Sequence, residues 1–434
     1  MHSDKPKSYQ ERRRCSPDSS NKTLARLLMV AVLATPLQPA AAQQTAGLEP
    51  LTEASAVRRG LARAALVELE EGSHGLAEAT AVAEGTWPNP LLSYSREHTS
   101  DSTEDFAWLS QELDLSGRRS LRTQAASQRA TAAALKMAVQ RLEVAAAIRH
   151  RFHEVLYHQR RVAALHDWLA GIDRALETVT RREEAGDASV YDRRRLERER
   201  ASGGARLAVA EAGLDRAWAG LLAQLPEPAP VATEGPAVAG RLLPEDDPPP
   251  LVELLAALPA RPDLQSLEAR VAAAELDGRA ARRWQLPRVS LGGGVKRVDT
   301  DGEWDNGFLL TASLPLPLFD RHQDEALRAR AEERLAWGRS AEALAMAEGE
   351  VRGLWAESRR LTTAARHYRE QTARTSAVLV RTAEAAYRGG ELGILELLDA
   401  HRSVLEDELQ ALDLEMAARR ARIELDRITG GQSQ

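Results

Sequence analysis

Two very long stretches without proline constrain the fold of this chain more than any other feature. Residues 119–185 contain no proline and one glycine, and residues 320–388 contain no proline and three glycines. Alanine, leucine, arginine and glutamate dominate both stretches, as is typical of long helices. At a rise of 1.5 Å per residue, each stretch predicts a helix about 100 Å long. The sequence therefore predicts a mainly α fold with a small β part.

The chain is predicted to be a tandem duplication, because the same series of elements occurs twice, about 200 residues apart. The first repeat spans 43–225 and the second 251–434, and a proline-rich connector, 226–250, joins them. Each repeat is expected to contain a shorter helix, a β-hairpin, a long helix, a tip turn and a return helix. The expected bounds in chain order are 52–84, 91–115, 119–185, 186–192 and 192–224, then 251–284, 288–316, 320–388, 389–396 and 396–429.

Each hairpin is predicted to have two strands joined by a polar loop, at 98–105 and at 299–306. In the second hairpin, apolar residues recur at every second position, as at Val289, Leu291, Val295, Phe308, Leu310 and Ala312. This alternation is typical of a strand with one face in lipid and the other in water. The run Gly292–Gly294 lacks the Gly-Lys-Ser/Thr of a phosphate-binding loop, so we interpret it as a bend in the strand.

A single copy of such a chain cannot bury its own apolar residues. A rod two helices wide leaves apolar positions for its neighbours, and four strands cannot close a barrel, whose open edges are forbidden in lipid. No stretch after residue 42 contains 18 consecutive apolar residues, so a membrane position requires a β-barrel. We therefore expect several copies to close a ring.

The first 42 residues are predicted to be a secretory signal. Basic residues precede the apolar segment Leu27–Ala34, and Ala40–Ala42 form a small-residue cleavage site. The only cysteine, Cys15, lies in this signal. Removal of the signal takes away seven of the 58 Lys and Arg and three of the 64 Asp and Glu, which leaves a net charge of −10. This acidity argues against a nucleic-acid partner, because phosphate groups need a basic face.

Several short motifs resemble those of the TolC-type outer-membrane efflux proteins, and more closely the branch that serves cobalt-zinc-cadmium cation efflux. They are Pro88–Leu92, Gln111–Arg119, Arg261–Leu264, Ser313–Arg321, and the two glycine turns with the following Asp192 and Leu397–Ala400. Each motif is short, but their order and duplication extend the resemblance over nearly all of the chain after residue 42.

The resemblance implies a homotrimer in the outer membrane of a Gram-negative bacterium, extending into the periplasm. Four strands per subunit would form a 12-stranded β-barrel in outer-membrane lipid, and the helices would form an α-barrel tunnel. A periplasmic adaptor and an inner-membrane pump would dock at the tip turns, which contain Gly186, Val190, Gly390, Leu392 and Gly393. Pro315 and Pro317 lie at the strand exit, where a residue that cannot donate to a ladder ends the strand.

The resemblance also implies a periplasmic gate at the tips. Glu396 and Asp399 are three residues apart, so both project from one side of a helix, and three copies would gather six carboxylates around one axis. The ordinary alternative is a pair of first-turn acids that favour a helix N-terminus. Tyr387 and Asp192 match positions that join the tips in the closed state. An arginine usual in the family is Leu392 here, so this latch is predicted to be weaker or differently built.

Two histidines have the spacing of a metal-binding pair. His150 and His153 lie three residues apart, but without a third ligand they are interpreted as solvated side chains on a polar helix. The pattern His153–His158 has one residue too many for a zinc-protease motif. We predict no catalytic residue, no cofactor and no metal site.

The aromatic residues are few, at 4% of the chain, and fall into two groups. Those on the helices are expected to pack between neighbouring helices, and they include Trp168, Trp218, Trp337 and Trp355. Phe106 and Trp108 lie in the first hairpin, where they are candidates for an aromatic girdle at the membrane surface.

The predicted function is a passive exit duct for small solutes, with metal cations favoured by the resemblance. A duct for drugs or secreted proteins stays open, because the sequence reveals no substrate-specific chemistry in the wall. A periplasmic coiled-coil scaffold is an alternative of another class, but a scaffold does not need alternating strands or prolines at a strand exit. An enzyme is the least supported class, since no activated nucleophile, acid-base pair or metal cluster is apparent.

We predict that the signal is cleaved after Ala42, because the small residues Ala40–Ala42 fit the peptidase site. The mature protein should therefore begin at Gln43 and contain neither Cys15 nor an attached lipid. Intact-mass spectrometry of protein purified from membranes tests this expectation, and a mass that includes residues 1–42 would contradict it.

Overall fold

A computed structural model describes residues 50–226, 238–283, 288–300, 302–316 and 318–430. The predicted signal with Cys15, part of the connector and Pro317 lie outside these residues. The helices are α1 (Glu53–Leu61), α2 (Ala64–Gly85), α3 (Arg118–Glu184), α4 (Val190–Leu222), α5 (Leu251–Ala256), α6 (Pro262–Arg282), α7 (Gln323–Gly389) and α8 (Ile394–Thr429). The strands are β1 (Leu91–His98), β2 (Ser102–Leu113), β3 (Val289–Thr300) and β4 (Glu303–Ser313).

The two long helices are confirmed, and each contains 67 residues. Helix α4 packs along α3 and α8 along α7, while α2 and α6 pack along α3 and α7 beside the sheet. Helix α3 also packs against α6 and α8, which joins the two repeats. Buried alanine, leucine and isoleucine side chains form separate clusters along the rod. None of the helices in the described part of the chain is long and apolar enough to cross a membrane.

The shorter helices that precede the hairpins were expected to be continuous, but each of them is interrupted. The stretch 52–84 is divided into α1 and α2, because Arg63 is extended and its side chain donates to the Gly60 carbonyl at 3.1 Å. The stretch 251–284 begins with α5 and a 3₁₀ turn, Leu258–Ala260, before α6. Pro262 lies in the first turn of α6, where its missing N–H costs no helical hydrogen bond.

The four strands form one antiparallel sheet in the order β1-β2-β3-β4. The predicted polar loops at 98–105 and 299–306 are wrong, because most of these residues belong to strands. Their polar side chains pair across the sheet: Arg96 donates to the Asp105 carboxylate at 2.7 and 2.9 Å. The Lys296 ammonium lies 2.8 Å from Glu104. Cross-strand ion pairs of this kind stabilise strands whose polar composition makes them look like loops in the sequence.

The register gives the sheet two unlike faces, since alternate residues of a strand point to opposite sides. One face is called here the apolar face. It exposes Leu92, Tyr94, Leu109, Leu291, Val295, Phe308 and Leu310. The opposite, polar face contains Ser93, Ser95, Ser110, Lys296 and Thr311. The alternation predicted for β3 and β4 is therefore confirmed.

Phe106 and Trp108 lie on the polar face, so the structure does not place them in a lipid-facing girdle. The Lys296 ammonium lies 4.8 Å from the centre of the Phe106 ring. Tyr94 and Trp304 are the aromatic residues near the hairpin turns on the apolar face. Which face of the sheet Phe106 and Trp108 occupy depends on the pairing of β2 with β1 and β3, which the alternation within one strand does not show.

A charge cluster lies at mid-length of the rod, and it corrects the interpretation of the two histidines. His153 is 2% exposed and its Nε2 lies 2.9 Å from Glu53 Oε2, while His150 Nε2 lies 2.6 Å from Glu424 Oε1. Arg149 pairs with Glu53 and, at 3.1 Å, with Asp426. These carboxylates come from α1 and α8, so neither was visible from the local sequence. Within the described residues, no group of three or more potential ligands is arranged to hold a metal.

Burial and the paired charges together set the protonation of this cluster. Burial alone would raise the pKa of Glu53, but the His153 hydrogen bond and the Arg149 charge lower it to about 2. Burial also lowers the pKa of His153. Arg419 on α8 donates to the Leu242 and Leu243 carbonyls at 2.8 and 3.0 Å, which fixes the described end of the connector against the cluster.

Three of the four helical tryptophans have the predicted environment. Trp168 is buried and its Nε1 donates to the His401 carbonyl at 3.0 Å, and Trp355 Nε1 donates to the Pro249 carbonyl at 2.9 Å. Trp218 packs against the core near α1. Trp337 is 66% exposed, so within one chain it does not pack between helices.

The glycines of β3 allow close approach of β2, and no bend has to be invoked for them. A Cβ at Gly294 would lie 2.4 Å from the Ala107 carbonyl oxygen and 2.5 Å from Trp108 Cβ. At the neighbouring Gly293, the nearest atom is Leu310 Cδ2 at 3.6 Å, an ordinary contact. Gly294 is therefore a position at which the backbone of β2 excludes a side chain.

We predict that Gly294→Ala destabilises the folded protein by about 1–3 kcal/mol, because β2 and β3 must separate to admit the methyl group. The control Gly293→Ala should change the stability by less than about 1 kcal/mol. Thermal unfolding of the two purified variants, followed by circular dichroism, measures the difference. Equal melting temperatures would contradict the close-approach explanation.

Candidate functional site

The two tip turns have the same backbone geometry in both repeats. Gly186 and Gly390 adopt positive φ values of 86° and 77°, which glycine tolerates without strain. The Asp187 amide donates to the Arg182 carbonyl at 2.7 Å, and the Glu391 amide donates to the Ala386 carbonyl at 2.9 Å. This is the Schellman ending of a helix, and it reverses the chain within a few residues.

A shared apolar core holds the two turns side by side. It contains residues from both repeats, among them Val179, Leu196, Ile394, Leu397 and Leu398, each at most 5% exposed. Helices α3, α4, α7 and α8 thus pack together up to their ends. The ends of the two repeats form one structural unit, which is named here the tip.

Tyr387 is brought into contact with Asp192, as the sequence predicted. The tyrosine is 4% exposed, and burial raises its pKa, to which the charge of Asp192 and its hydrogen bond add. Asp192 lies in the first turn of α4, where its amide donates to the N-cap Ser189 hydroxyl at 3.2 Å. The contact therefore joins the end of α7 to the beginning of α4.

Arg182 is a tip residue that sequence reasoning missed. Its Nη1 donates to the Tyr387 carbonyl, and its guanidinium carbon lies 5.1 Å from the centre of the Tyr387 ring. Its Nη2 donates to the Asp187 carbonyl at 3.3 Å. The guanidinium group at the tip thus comes from α3, whereas position 392 is a leucine. The only signal in the sequence was the pair Arg181–Arg182 in the last turn of a helix, where basic residues are common.

Glu396 and Asp399 lie on the exposed side of α8, whereas Leu397, Leu398 and Ala400 are buried in the core. Farther along α8, Arg402 forms a two-bonded ion pair with Glu199 of α4, one bond being 2.9 Å. This pair holds α8 against α4 and leaves both acids uncovered within one chain.

The remaining predicted tip residues are exposed. Val190 and Leu392 are 56% and 36% exposed, and Gly186, Gly390 and Gly393 are also at the surface.

Pro315 follows β4, which ends at Ser313, so the strand stops where the proline was expected to end it. Pro317 lies outside the described residues.

A family profile described as "Outer membrane efflux protein" matches residues 254–431. The chain is 29% identical over 384 residues to the cobalt-zinc-cadmium resistance protein CzcC of Cupriavidus metallidurans, a match that covers 85% of this chain and 86% of CzcC. The pyoverdine export outer membrane protein OpmQ of Pseudomonas putida is 29% identical over 188 residues, covering 41% of this chain and 38% of OpmQ.

The fold is also similar to that of solved channels. The structure of the open state of the MtrE outer membrane channel of Neisseria gonorrhoeae superposes with a TM-score of 0.72 at 21% identity. The match covers 87% of this chain and 89% of MtrE. With the long helices, the four-stranded sheet and the paired tip turns, these likenesses show that the chain has the fold of the TolC-type outer membrane channels, and that its residues 254–431 match the outer membrane efflux protein family.

Proposed function

We propose that this chain is the passive exit channel of a tripartite efflux system, that it acts as a homotrimer, and that it has no enzymatic activity. A periplasmic adaptor docks on the tip, and an inner-membrane pump supplies the energy. The observation that carries the proposal is the four-stranded sheet, which has two unlike faces and two open edges at one end of a helical rod.

The sheet is suited to a barrel wall made by several copies. Strands β1 and β4 each pair with one neighbour within the chain, so each has an edge free to pair. The apolar face exposes large side chains, such as Phe308 at 84% and Leu310 at 78%. Strands of 11 or 12 residues are about 35–40 Å long, which suffices to cross the hydrocarbon layer when tilted. Three copies would supply twelve strands.

The helices also present apolar side chains that need neighbours. Leu327, Trp337 and Met346 on α7 are 64%, 66% and 70% exposed, and Leu69 and Leu76 on α2 are 57% and 73% exposed. Such residues are unfavourable in water and suit contacts between helices of adjacent subunits. If the same helices formed a periplasmic scaffold, the large exposed side chains on the apolar face of the sheet would have no lipid to contact.

We favour heavy-metal cations as the cargo. The likeness to CzcC extends over most of both chains, whereas that to OpmQ covers less than half of each. Glu396 and Asp399 would add a negative ring at the tip, which attracts multivalent cations and repels anions. A duct for drugs or secreted proteins is the alternative, and transport of an organic substrate but not of cobalt, zinc or cadmium would establish it.

We predict that Phe308 and Thr311 face lipid and the water-filled lumen, respectively, because they lie on opposite faces of β4. Single-cysteine variants at these positions, in a Cys15→Ser background, should differ in reactivity toward a charged maleimide in proteoliposomes. Phe308→Cys should react only after detergent is added, whereas Thr311→Cys should react in the intact membrane. Both side chains are exposed in a single chain, so equal labelling of the two would reject the barrel.

We predict that Glu396→Ala combined with Asp399→Ala weakens block by a trivalent cation about tenfold or more and lowers cation selectivity. The reason is that convergence on a three-fold axis makes each carboxylate contribute to one local potential. Planar-bilayer recordings measure both quantities, and Glu348→Ala, which removes an exposed acid from the middle of α7, is the control. Unchanged block in the double variant would reject the acidic ring but not the channel.

A further inference from the structure

We propose that Arg182 is the clamp that holds the tip closed, by tying the end of α7 to the turn between α3 and α4. The inference rests on the proposed channel function, and it names a residue that positions the gate. The clamp is a positioning residue, since it holds the turns and does not itself line the path of the cargo.

The two acceptors of Arg182 belong to different repeats. Nη1 donates to the carbonyl of Tyr387, in the last turn of α7, and Nη2 donates at 3.3 Å to the carbonyl of Asp187, in the first tip turn. The guanidinium group is therefore a bridge between the two turns. Separation of α7 and α8 from α3 and α4 at the tip must break it.

The position favours an arginine over other cations. The Tyr387 carbonyl already accepts the Gly390 amide at 3.1 Å, and as a carbonyl at a helix C-terminus it carries part of the negative end of the helix dipole. A planar fork with several donors reaches two carbonyls in fixed directions, which a single ammonium group does not. The guanidinium carbon also lies 5.1 Å from the Tyr387 ring centre, within the range of a cation–π contact.

Tyr387 is consequently held from two sides. Arg182 contacts its ring and carbonyl, and Asp192 of α4 contacts its hydroxyl group. Arg182 is half-buried, and Asp187, one of its two acceptor residues, lies in an exposed turn. Water can therefore replace that hydrogen bond when the tip opens. The ion pairs of Arg149 and Arg402 differ in this respect, because each has a buried or half-buried carboxylate as partner.

The test compares Arg182→Ala with Arg181→Ala, which removes an equal charge from the neighbouring exposed position. In planar bilayers, loss of a hydrogen bond to a charged group should shift the closed-to-open ratio of Arg182→Ala by about tenfold toward open. Arg181→Ala should gate like the unaltered channel. Arg182→Lys retains the charge and most of the packing, so an intermediate shift is expected.

Hydrogen exchange separates a clamp from a general loss of stability. In Arg182→Ala, the amides of Asp187 and Glu391 should exchange faster, while amides near Phe152 should be unchanged. If Arg182→Ala does not assemble, the same measurements on Arg182→Lys decide. Gating equal to that of Arg181→Ala, or faster exchange along the whole of α3, would overturn the clamp while the channel function stands. Absence of channels from the unaltered protein would overturn both.

Discussion

The pairing of β2 with β3 is the interaction on which the rest of the structure depends, because it joins the hairpins of the two repeats. Strands β2 and β4 are both antiparallel to β3, so they run in the same direction. Helices α3 and α7, which follow β2 and β4, therefore leave the sheet at the same end and run side by side. Their turns consequently meet far from the sheet, where the shared apolar core packs them into the tip.

The same ladder decides which face of the sheet is apolar. A shift of one residue would move all side chains of one hairpin to the opposite side. Phe308 and Leu310 would then lie among serine and threonine, and Lys296 among leucines. Gly294 contributes to the register, because there β2 approaches closely enough to exclude a Cβ. The strand pairing, the two faces and the position of the tip are thus consequences of one set of backbone hydrogen bonds.

Much of this fold is predictable because its signals are long or repeated. The proline-free stretches predict α3 and α7 to within a few residues, and glycines at matching positions predict both turns. The hairpin loops are not predictable in this way, since Arg96 and Asp105 look like loop residues until they are seen to pair. The break between α1 and α2 also escapes prediction, because it depends on one extended residue, Arg63.

The tip was predictable in part, for a similar reason. Tyr387 and Asp192 are identifiable because they flank recognisable turns, and the structure brings them together. Arg182 is one of many arginines in helices, and its role depends on one carbonyl group that lies 205 residues away in the chain. His153 shows the same limit: its local sequence is polar, yet a glutamate from α1 gives it a buried environment.

In the proposed channel, the charge cluster around Glu53, Arg149 and Asp426 would act as a pivot for the helical rod. It fixes α3 to α1 and α8 at mid-length, and the span from Arg149 to Arg182 is about 50 Å at 1.5 Å per residue. Because α3, α4, α7 and α8 are packed together at the tip, a rotation of about 5° at this cluster would carry the whole tip by about 4 Å over that length. In the proposed trimer, small angular changes at the cluster, with its ion pairs intact, would therefore change the width of the aperture at the far end.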